Sequence, residues 1–302
     1  MSAATLTPGA APAAAEAPEK GTSLWQDAWR RLRRNRMAVV SGGMLLVMAL
    51  LCFGAPLIPG LADPNAQNLP LGAVSPRAGH WFGTDILGRD LLARVLYGGR
   101  ISLLVGLVAT LVSFTIGVTF GAVSGYFGGR VDTAMMRFVD VLYSLPYMFL
   151  VILLLVFFSR SILMLFVALG AVQWLTMARI VRGQVLSLKQ REFVEAARSI
   201  GVSHAGIIFR HLIPNALGPI IVYATLTVPA VMLQEAFLSF LGLGVQPPAA
   251  SWGVLVNEGA AVMSFFPWLA TFPGLALAMT LFGLNFLGDG LRDALDPHLR
   301  KD

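Results

Sequence analysis

The sequence predicts an all-α polytopic membrane protein with six transmembrane helices. Hydrophobic residues make up 56% of its 302 residues, charged residues only 13%, and the mean hydropathy is +0.73. A soluble globular domain would carry about 25% charged residues. Six apolar segments approach the roughly 20 residues that a helix needs to cross the hydrocarbon core. Runs such as "VILLLVFF" lack the alternation of a transmembrane β-barrel, so helices satisfy the backbone hydrogen bonds.

These six segments also predict how the chain is oriented. They cover about residues 37–58, 101–125, 138–158, 161–178, 216–238 and 267–287. Most of the 22 Lys and Arg residues fall in the stretches that share a side with the N-terminus. By the positive-inside rule, both termini should therefore lie in the cytoplasm. We attribute the net charge of +6 to this bias and expect no nucleic-acid partner.

The chain divides into three predicted regions. Residues 1–24 are rich in Ala and Pro, lack the pattern of a cleaved signal peptide, and should form a disordered cytoplasmic tail. Residues 25–98 should contain an interfacial helix anchored by Trp25 and Trp29, the first span and an outer loop. Residues 99–302 should form the five-helix core, with a polar cytoplasmic segment at 187–215.

The predicted spans offer little chemistry of their own. Ionisable side chains within membrane helices usually mark proton relays or ion paths, but here only Asp140 and Glu235 lie in spans, each near an end. There is no P-loop, G-x-S-x-G or H-E-x-x-H pattern. The single Cys52 and the four histidines show no metal-ligand spacing. We expect no cofactor or metal on this chain, so energy for uphill transport would come from another subunit.

The polar segment "EFVEAARSIGVSHAGIIFRHLIPN", residues 192–215, interrupts the apolar pattern. Its first part predicts a short helix with Phe193, Ala196, Ala197 and Ile200 on one face and Glu192, Glu195, Arg198 and Ser199 on the other. Gly201 suits a left-handed helix end, and Ser203 suits the cap of a second short helix that stops before Pro214. The residues alone leave open whether the first helix packs on its own protein or docks on another.

A family resemblance bears on that choice. "EAARSIG" followed by "RHLIPN" resembles the E-A-A-x-x-x-G loop of binding-protein-dependent ABC importer permeases. His211 and Ile213 stand where the general pattern has Ile and Leu, although "RHxxPN" is similar to the peptide-permease branch. "HWFGTDILGRDLLARVLYGGRISLLVG" (80–106) and "EAFLSFLGLGVQPPAASWG" (235–253) resemble the C-type subunit of dipeptide, oligopeptide and nickel importers. The resemblance covers nearly the whole chain from residue 25.

The resemblance implies a fold, a set of partners and a function. The fold would be that of a type I ABC importer permease, forming half of a translocation pathway in the inner membrane. Segment 187–215 would be the coupling loop, whose contacts with an ATPase would involve Glu195, Ala196, Ala197, Arg198 and Gly201. The partners would be a B-type permease, two ATPases that bind ATP and Mg²⁺, and an extracytoplasmic substrate-binding protein. The chain itself would be no enzyme.

Several alternatives remain at this stage. The substrate implied is a dipeptide or oligopeptide, with nickel and glutathione importers of the same family as alternatives. From another class, a stand-alone secondary carrier is possible but is disfavoured by the charge-poor spans. A membrane enzyme is weaker still, since no residues can be nominated for it.

Outside the coupling loop, the sequence nominates four further residues. Glu235 and Gln234 could line the outer mouth of the pathway or contact the partner permease, or could serve as polar anchors at the headgroups. The outer segments 59–98 and 241–266 are long, which is typical of functional loops. We expect both to dock the binding protein, with Trp252 and Asn257 as candidate contacts, unless they only cover the ends of the bundle.

Overall fold

We describe residues 24–158 and 161–295 of a computed structural model of the chain. The helices are α1 (Leu24–Arg34), α2 (Arg36–Gly54), α3 (Leu91–Phe127), α4 (Gly129–Ser144), α5 (Tyr147–Phe158), α6 (Ile162–Leu188), α7 (Glu192–Ser199), α8 (His204–Gly206), α9 (Ile213–Phe240), α10 (Trp252–Ala260) and α11 (Trp268–Leu295). Two β-bridges but no strand occur in these ranges. The predicted tail, 1–24, lies outside the described residues apart from Leu24.

The N-terminal helix α1 is amphipathic and packs on α2 and α11. Ala28 is buried on one face, whereas Trp29 is exposed and carries the Arg33 guanidinium 4.7 Å above its ring. Asn35 separates α1 from α2, because its side chain accepts a hydrogen bond from Ala38 N at 3.2 Å and so caps α2. The placement of α1 at the headgroups stays a prediction.

The predicted spans agree with the helices except in the third. Among the described residues, the stretches 36–57, 91–127, 162–188, 204–240 and 268–295 are long and apolar enough to cross a membrane. The predicted third span, 138–158, is not one helix, because α4 and α5 meet at an 85° bend. Pro146 lacks an N–H and forces Leu145 into an extended conformation (φ −81°, ψ 135°), which ends α4.

The most extensive helix–helix contact joins α3 to α6. Glycines at 117, 121 and 125 face α6, and a Cβ on Gly117 would lie 2.6 Å from Met177 Cβ. A Cβ on Gly125 would lie 2.9 Å from the carbonyl oxygen of Arg182. Only glycine allows the two backbones to approach this closely. This contact lies within the subunit and fixes the relative positions of the two helices that carry the site below.

The two predicted outer segments, 59–98 and 241–266, both contain helix. α3 begins at Leu91, inside the predicted outer loop 59–98, because Asp90 caps it by accepting from Ala93 N at 2.9 Å. The predicted loop 241–266 contains α10, which packs on α9 and α11. The two segments therefore form a folded layer at one end of the bundle.

Candidate functional site

The polar segment between α6 and α9 forms the helix and turn that the sequence predicts. α7 ends where Gly201 adopts φ +80°, which confirms its left-handed conformation. The Val202 amide donates to the Ala197 carbonyl at 3.0 Å across this turn. Ser203 caps the next helix by accepting from Gly206 N at 3.2 Å, as predicted. The turn thus holds α7 in a defined orientation to the helix that follows.

The predicted apolar face of α7 is divided between the protein interior and its surface. Val194 is fully buried and Ala197 is 4% exposed, packed against Val185, Ile207 and neighbouring side chains. Ala196 is exposed, and Ile200 is 81% exposed. The prediction of a single four-residue face was wrong, because Val194 rather than Ala196 pairs with Ala197 on the inner side. α7 therefore rests on its own protein and still presents an outer surface.

That outer surface combines charge with small and apolar groups. Its exposed members, all in one short stretch, are Glu192, Glu195, Ala196, Arg198, Ser199 and Ile200. The Ser199 hydroxyl donates to the Glu195 carbonyl at 3.0 Å, and both carboxylates lie near the start of the helix, where its dipole favours them. Four of the five predicted coupling residues thus lie at or beside this surface, and Ala197 lies beneath it.

The helix after the turn does not stop before Pro214, contrary to the prediction. α8 passes into a π-helical turn, Ile207–Leu212, and then into α9, giving one helical stretch over 204–240. Ile213 N accordingly donates to Ile208 O, five residues back. A proline removes one amide donor and crowds the carbonyl four residues before it. We attribute the continuity to the wider π turn, which accommodates both effects.

Tyr126, at the end of α3, connects this segment to the bundle. Its hydroxyl lies 2.7 Å from His204 Nδ1, and the Arg198 guanidinium lies 5.5 Å from its ring centroid. The ring is 6% exposed. Sequence reasoning missed this residue, because nothing in the local pattern relates position 126 to position 204.

An ionic contact fixes three helices at the same end of the molecule. Asp132 on α4 accepts from Arg182 Nε at 2.5 Å and Nη2 at 2.6 Å, and from Ser124 Oγ at 2.5 Å. Lys189 Nζ donates to the Gly125 carbonyl at 2.9 Å. Sequence reasoning missed both contacts. Asp132 and Arg182 lie 50 positions apart in the chain, and Gly125 and Lys189 lie 64 positions apart. The two contacts hold the ends of α3, α4 and α6 together.

Glu235 and Gln234 occupy different environments. Glu235 is 2% exposed, and its Oε1 accepts from Ser239 Oγ at 2.8 Å and Ser251 Oγ at 2.6 Å. It is therefore neither at a headgroup-facing surface nor open to a partner, because α10 covers it. Gln234 is half-buried and faces a cavity beside Gln173.

The two docking candidates also differ from expectation. Trp252 is fully buried; its backbone N–H donates to Ser102 Oγ at 2.9 Å and its indole N–H to Val95 O at 2.8 Å. It cannot contact a binding protein and instead anchors α10 to α3. Asn257 is half-buried, and its amide donates to the Ser239 carbonyl at 3.1 Å. Among the described residues, no group of His, Cys, Asp and Glu is placed to hold a metal ion.

Comparison with known proteins assigns this architecture to a family. Residues 117–301 match the family described as binding-protein-dependent transport system inner membrane component. The chain belongs to this family. Residues 23–71 of the permease also match the N-terminal transmembrane domain of oligopeptide transport permease C.

Several curated relatives resemble the permease over most of its length. The oligopeptide transport system permease protein OppC of Escherichia coli (strain K12) is 54% identical, covering 92% of each chain. OppC of Haemophilus influenzae is 53% identical, covering 92% of this chain and 90% of that protein. The dipeptide permease protein DppC of Bacillus subtilis is 48% identical, covering 92% and 87%. A glutathione permease protein, GsiD of Pectobacterium atrosepticum, is 38% identical, covering 91% and 92%.

Solved structures show the same fold. A chain of the MetNI methionine ABC transporter, in an inward-facing conformation, matches with a TM-score of 0.54 and 18% identity, covering 67% of this chain and 96% of that chain. The permease therefore has the type I ABC importer permease fold and is a multi-pass inner membrane transport component.

Proposed function

We propose that this permease transmits ATP-driven movement to the transport pathway by docking α7 against a cytoplasmic ATPase. The observation that carries the proposal is the division of α7 between a buried base, Val194 and Ala197, and an exposed surface with Glu195, Ala196 and Ile200. A helix held from beneath and open above can pass a displacement into the bundle. Gly201, Arg198 and Tyr126 fix its direction.

The proposed assembly contains this chain, a B-type permease, two ATPases and an extracytoplasmic binding protein. The chain forms half of the pathway, performs no chemistry and binds no cofactor, since ATP and Mg²⁺ are held by the ATPases. Nucleotide-driven closure of the ATPases would shift the permease between inward- and outward-facing states. The Lys and Arg bias supports cytoplasmic termini.

We infer that the transported substrate is a dipeptide or oligopeptide. The relatives with the highest identities reported above are named for these substrates. Glutathione, itself a small peptide, is the alternative that the GsiD relative supports. A stand-alone carrier would need coupling groups within its spans, and the carboxylate of Glu235 is enclosed by two serine hydroxyls.

The binding protein would dock on the outer layer through residues other than Trp252. Trp81 on segment 59–98 is 76% exposed, and Phe265 on segment 241–266 is 78% exposed. Exposed aromatic residues of this kind are enriched at protein interfaces.

Exchanging charge on α7 tests the coupling proposal. Glu195→Lys in the full complex should abolish stimulation of ATP hydrolysis by the loaded binding protein and weaken co-purification of the ATPases. Asp289→Lys makes the same exchange at an exposed carboxylate of a different helix, α11, and should leave the stimulation and the co-purification unchanged. Normal stimulation and peptide uptake in Glu195→Lys would refute the docking role. Uptake by the purified chain without ATPases would favour the carrier.

A further inference from the structure

A cavity of about 380 Å³ lies where α4, α5, α6 and α9 meet. Five polar side chains line it together with aliphatic ones: Tyr143, Tyr147, Gln173, Thr176 and Gln234. None of the lining side chains in the described part of the chain is charged. The cavity opens at the surface of the subunit, where Tyr143 and Tyr147 are nearly half exposed.

The backbone around this cavity is unusual for a membrane span. The 85° break at Leu145–Pro146 forms part of its wall. Broken helices at membrane depth are tolerated only where the backbone is buried in protein or lines a water-filled cavity. Leu145 is exposed within the subunit, so this chain does not bury the break. We take the cavity wall to face water rather than lipid.

The polar groups keep unused hydrogen-bonding capacity. Tyr143 and Thr176 share a hydrogen bond of 2.8 Å, and Gln173 Nε2 donates to Gln234 Oε1 at 3.4 Å. Each amide has a carbonyl oxygen and an NH₂ group, so the pair retains Gln173 Oε1 as an acceptor and Gln234 Nε2 as a donor. Exchanging O and N in both amides would still leave one of each. Unpaired amides facing lipid would be costly.

One donor beside one acceptor matches the chemistry of a peptide unit, which has one N–H and one C=O. A wall without charge also suits peptides of any side-chain composition. A charged wall would hold peptides of the opposite sign, whereas transport requires that a substrate can leave each site.

We propose that this cavity contacts the backbone of a peptide in transit, through the Gln173–Gln234 pair, with Tyr143 and Thr176 at its rim. The proposal rests on the proposed peptide-import function. It adds the surface that contacts the substrate, and it identifies the peptide backbone as the part of the substrate that is contacted. It implies selectivity for peptide backbone and indifference to side-chain charge.

Reciprocal charges at Thr176 test the proposal. In vesicles containing the whole transporter and its binding protein, ATP-driven uptake of trilysine, triglutamate and trialanine is measured and divided by the wild-type rate for each peptide. Thr176→Lys should lower trilysine uptake relative to trialanine by about five-fold, the factor given by a like-charge interaction at close range in water. Thr176→Asp should lower triglutamate uptake relative to trialanine by a similar factor.

A labelling experiment keeps the proposal falsifiable if both charged variants fail to assemble. In a Cys52→Ala background, Thr176→Cys should react with a hydrophilic maleimide, and trialanine with binding protein and ATP should slow the reaction at least two-fold. Val167→Cys is the matched control, since Val167 is exposed on α6 and nine residues away, half a turn round the helix. It should react slowly and without dependence on peptide.

The outcomes separate this proposal from the proposed function. Failure of the wild-type transporter to import any of the three tripeptides would overturn peptide import itself. Import by wild type, with equal losses for all three peptides in both charged variants, would overturn the contact site alone. An unreactive Thr176→Cys, or labelling unaffected by peptide, would also overturn it.

Discussion

Arg94 and Glu258 lie 164 positions apart in the chain, yet Arg94 Nη1 donates to Glu258 Oε2 at 2.8 Å. The same nitrogen donates to Asp85 Oδ2 at 2.8 Å, and Arg89 Nε donates to that oxygen at 2.6 Å. One guanidinium therefore joins the start of α3 to both outer segments.

This cluster predicts unequal effects of two substitutions. Arg94→Met should lower the free energy of unfolding by about 1.5–3 kcal/mol, because buried Asp85 loses one charge-assisted hydrogen bond but keeps Arg89. Glu258→Gln should cost about 0–1 kcal/mol, since the Glu258 side chain is 42% exposed. Thermal unfolding of the purified permease in detergent measures both. Equal losses would show that the cluster is not held by Arg94.

The turn after α7 predicts a conformational requirement for glycine. Gly201→Val should cost roughly 1–2 kcal/mol because φ is +80°, and should reduce binding-protein-stimulated ATP hydrolysis while membrane insertion is retained. Gly183→Val is the control, since a Cβ there meets nothing within 4 Å and φ is not in the left-handed range. A similar loss of stimulation in both variants would contradict the turn-specific effect.

Tyr126 predicts a graded loss of coupling. Tyr126→Phe removes the contact with His204 but keeps the ring beside Arg198. The loss of a neutral hydrogen bond is worth about 1 kcal/mol. We expect peptide imported per ATP hydrolysed to fall modestly in this variant and further in Tyr126→Leu. Wild-type ratios in both variants would mean that the contact does not transmit movement.

The two ionic contacts of α4 predict a contrast in stability. Asp132→Asn should cost about 1.5–3 kcal/mol, because its carboxylate accepts charge-assisted bonds in a mostly buried setting. Asp140→Asn should cost about 0–1 kcal/mol, since its pair with Arg179 is more than 40% exposed on both sides. Unfolding midpoints in detergent compare them directly, and a larger loss at Asp140 would reverse this ranking.

Outer-layer docking predicts a crosslinking pattern. In a Cys52→Ala background, Trp81→Cys and Phe265→Cys should crosslink to the binding protein through a bifunctional maleimide, more strongly with peptide present. Phe282→Cys, exposed on α11 within a span, should not. With transport intact, absence of crosslinks at both outer positions would favour loops that only cover the bundle.

The sequence was most informative where a property is local. Apolar length predicted the spans, and glycine and serine chemistry predicted the left-handed Gly201 and the Ser203 cap. The break at Leu145–Pro146 was missed because the apolar run continues through it, although Pro146 itself was a local sign.

Contacts between residues that are far apart in the chain could not be predicted from the sequence. Trp252 was interpreted as a docking residue because it lies in the long outer segment 241–266, and Glu235 as a pathway, partner or headgroup residue because it lies near the outer end of the fifth predicted span. Trp252 is instead fully buried, and it donates hydrogen bonds to two α3 residues that lie at least 150 positions away in the chain. Glu235 is enclosed by Ser251, on a segment that had been predicted to be an open loop. The partners of a buried polar group decide its role, and their positions depend on packing.

The π turn at Ile207–Leu212 sets the rotational phase between α7 and α9. Each residue of an α-helix turns the chain by about 100° and advances it by about 1.5 Å. If all six residues of this turn became α-helical, everything before α9 would rotate by about 100°, because the wider π turn accommodates one residue more than α-helical spacing does. Glu195 and Ile200 would then point in a different direction, so the surface that we propose binds the ATPase would be turned away from it even though the spans are intact.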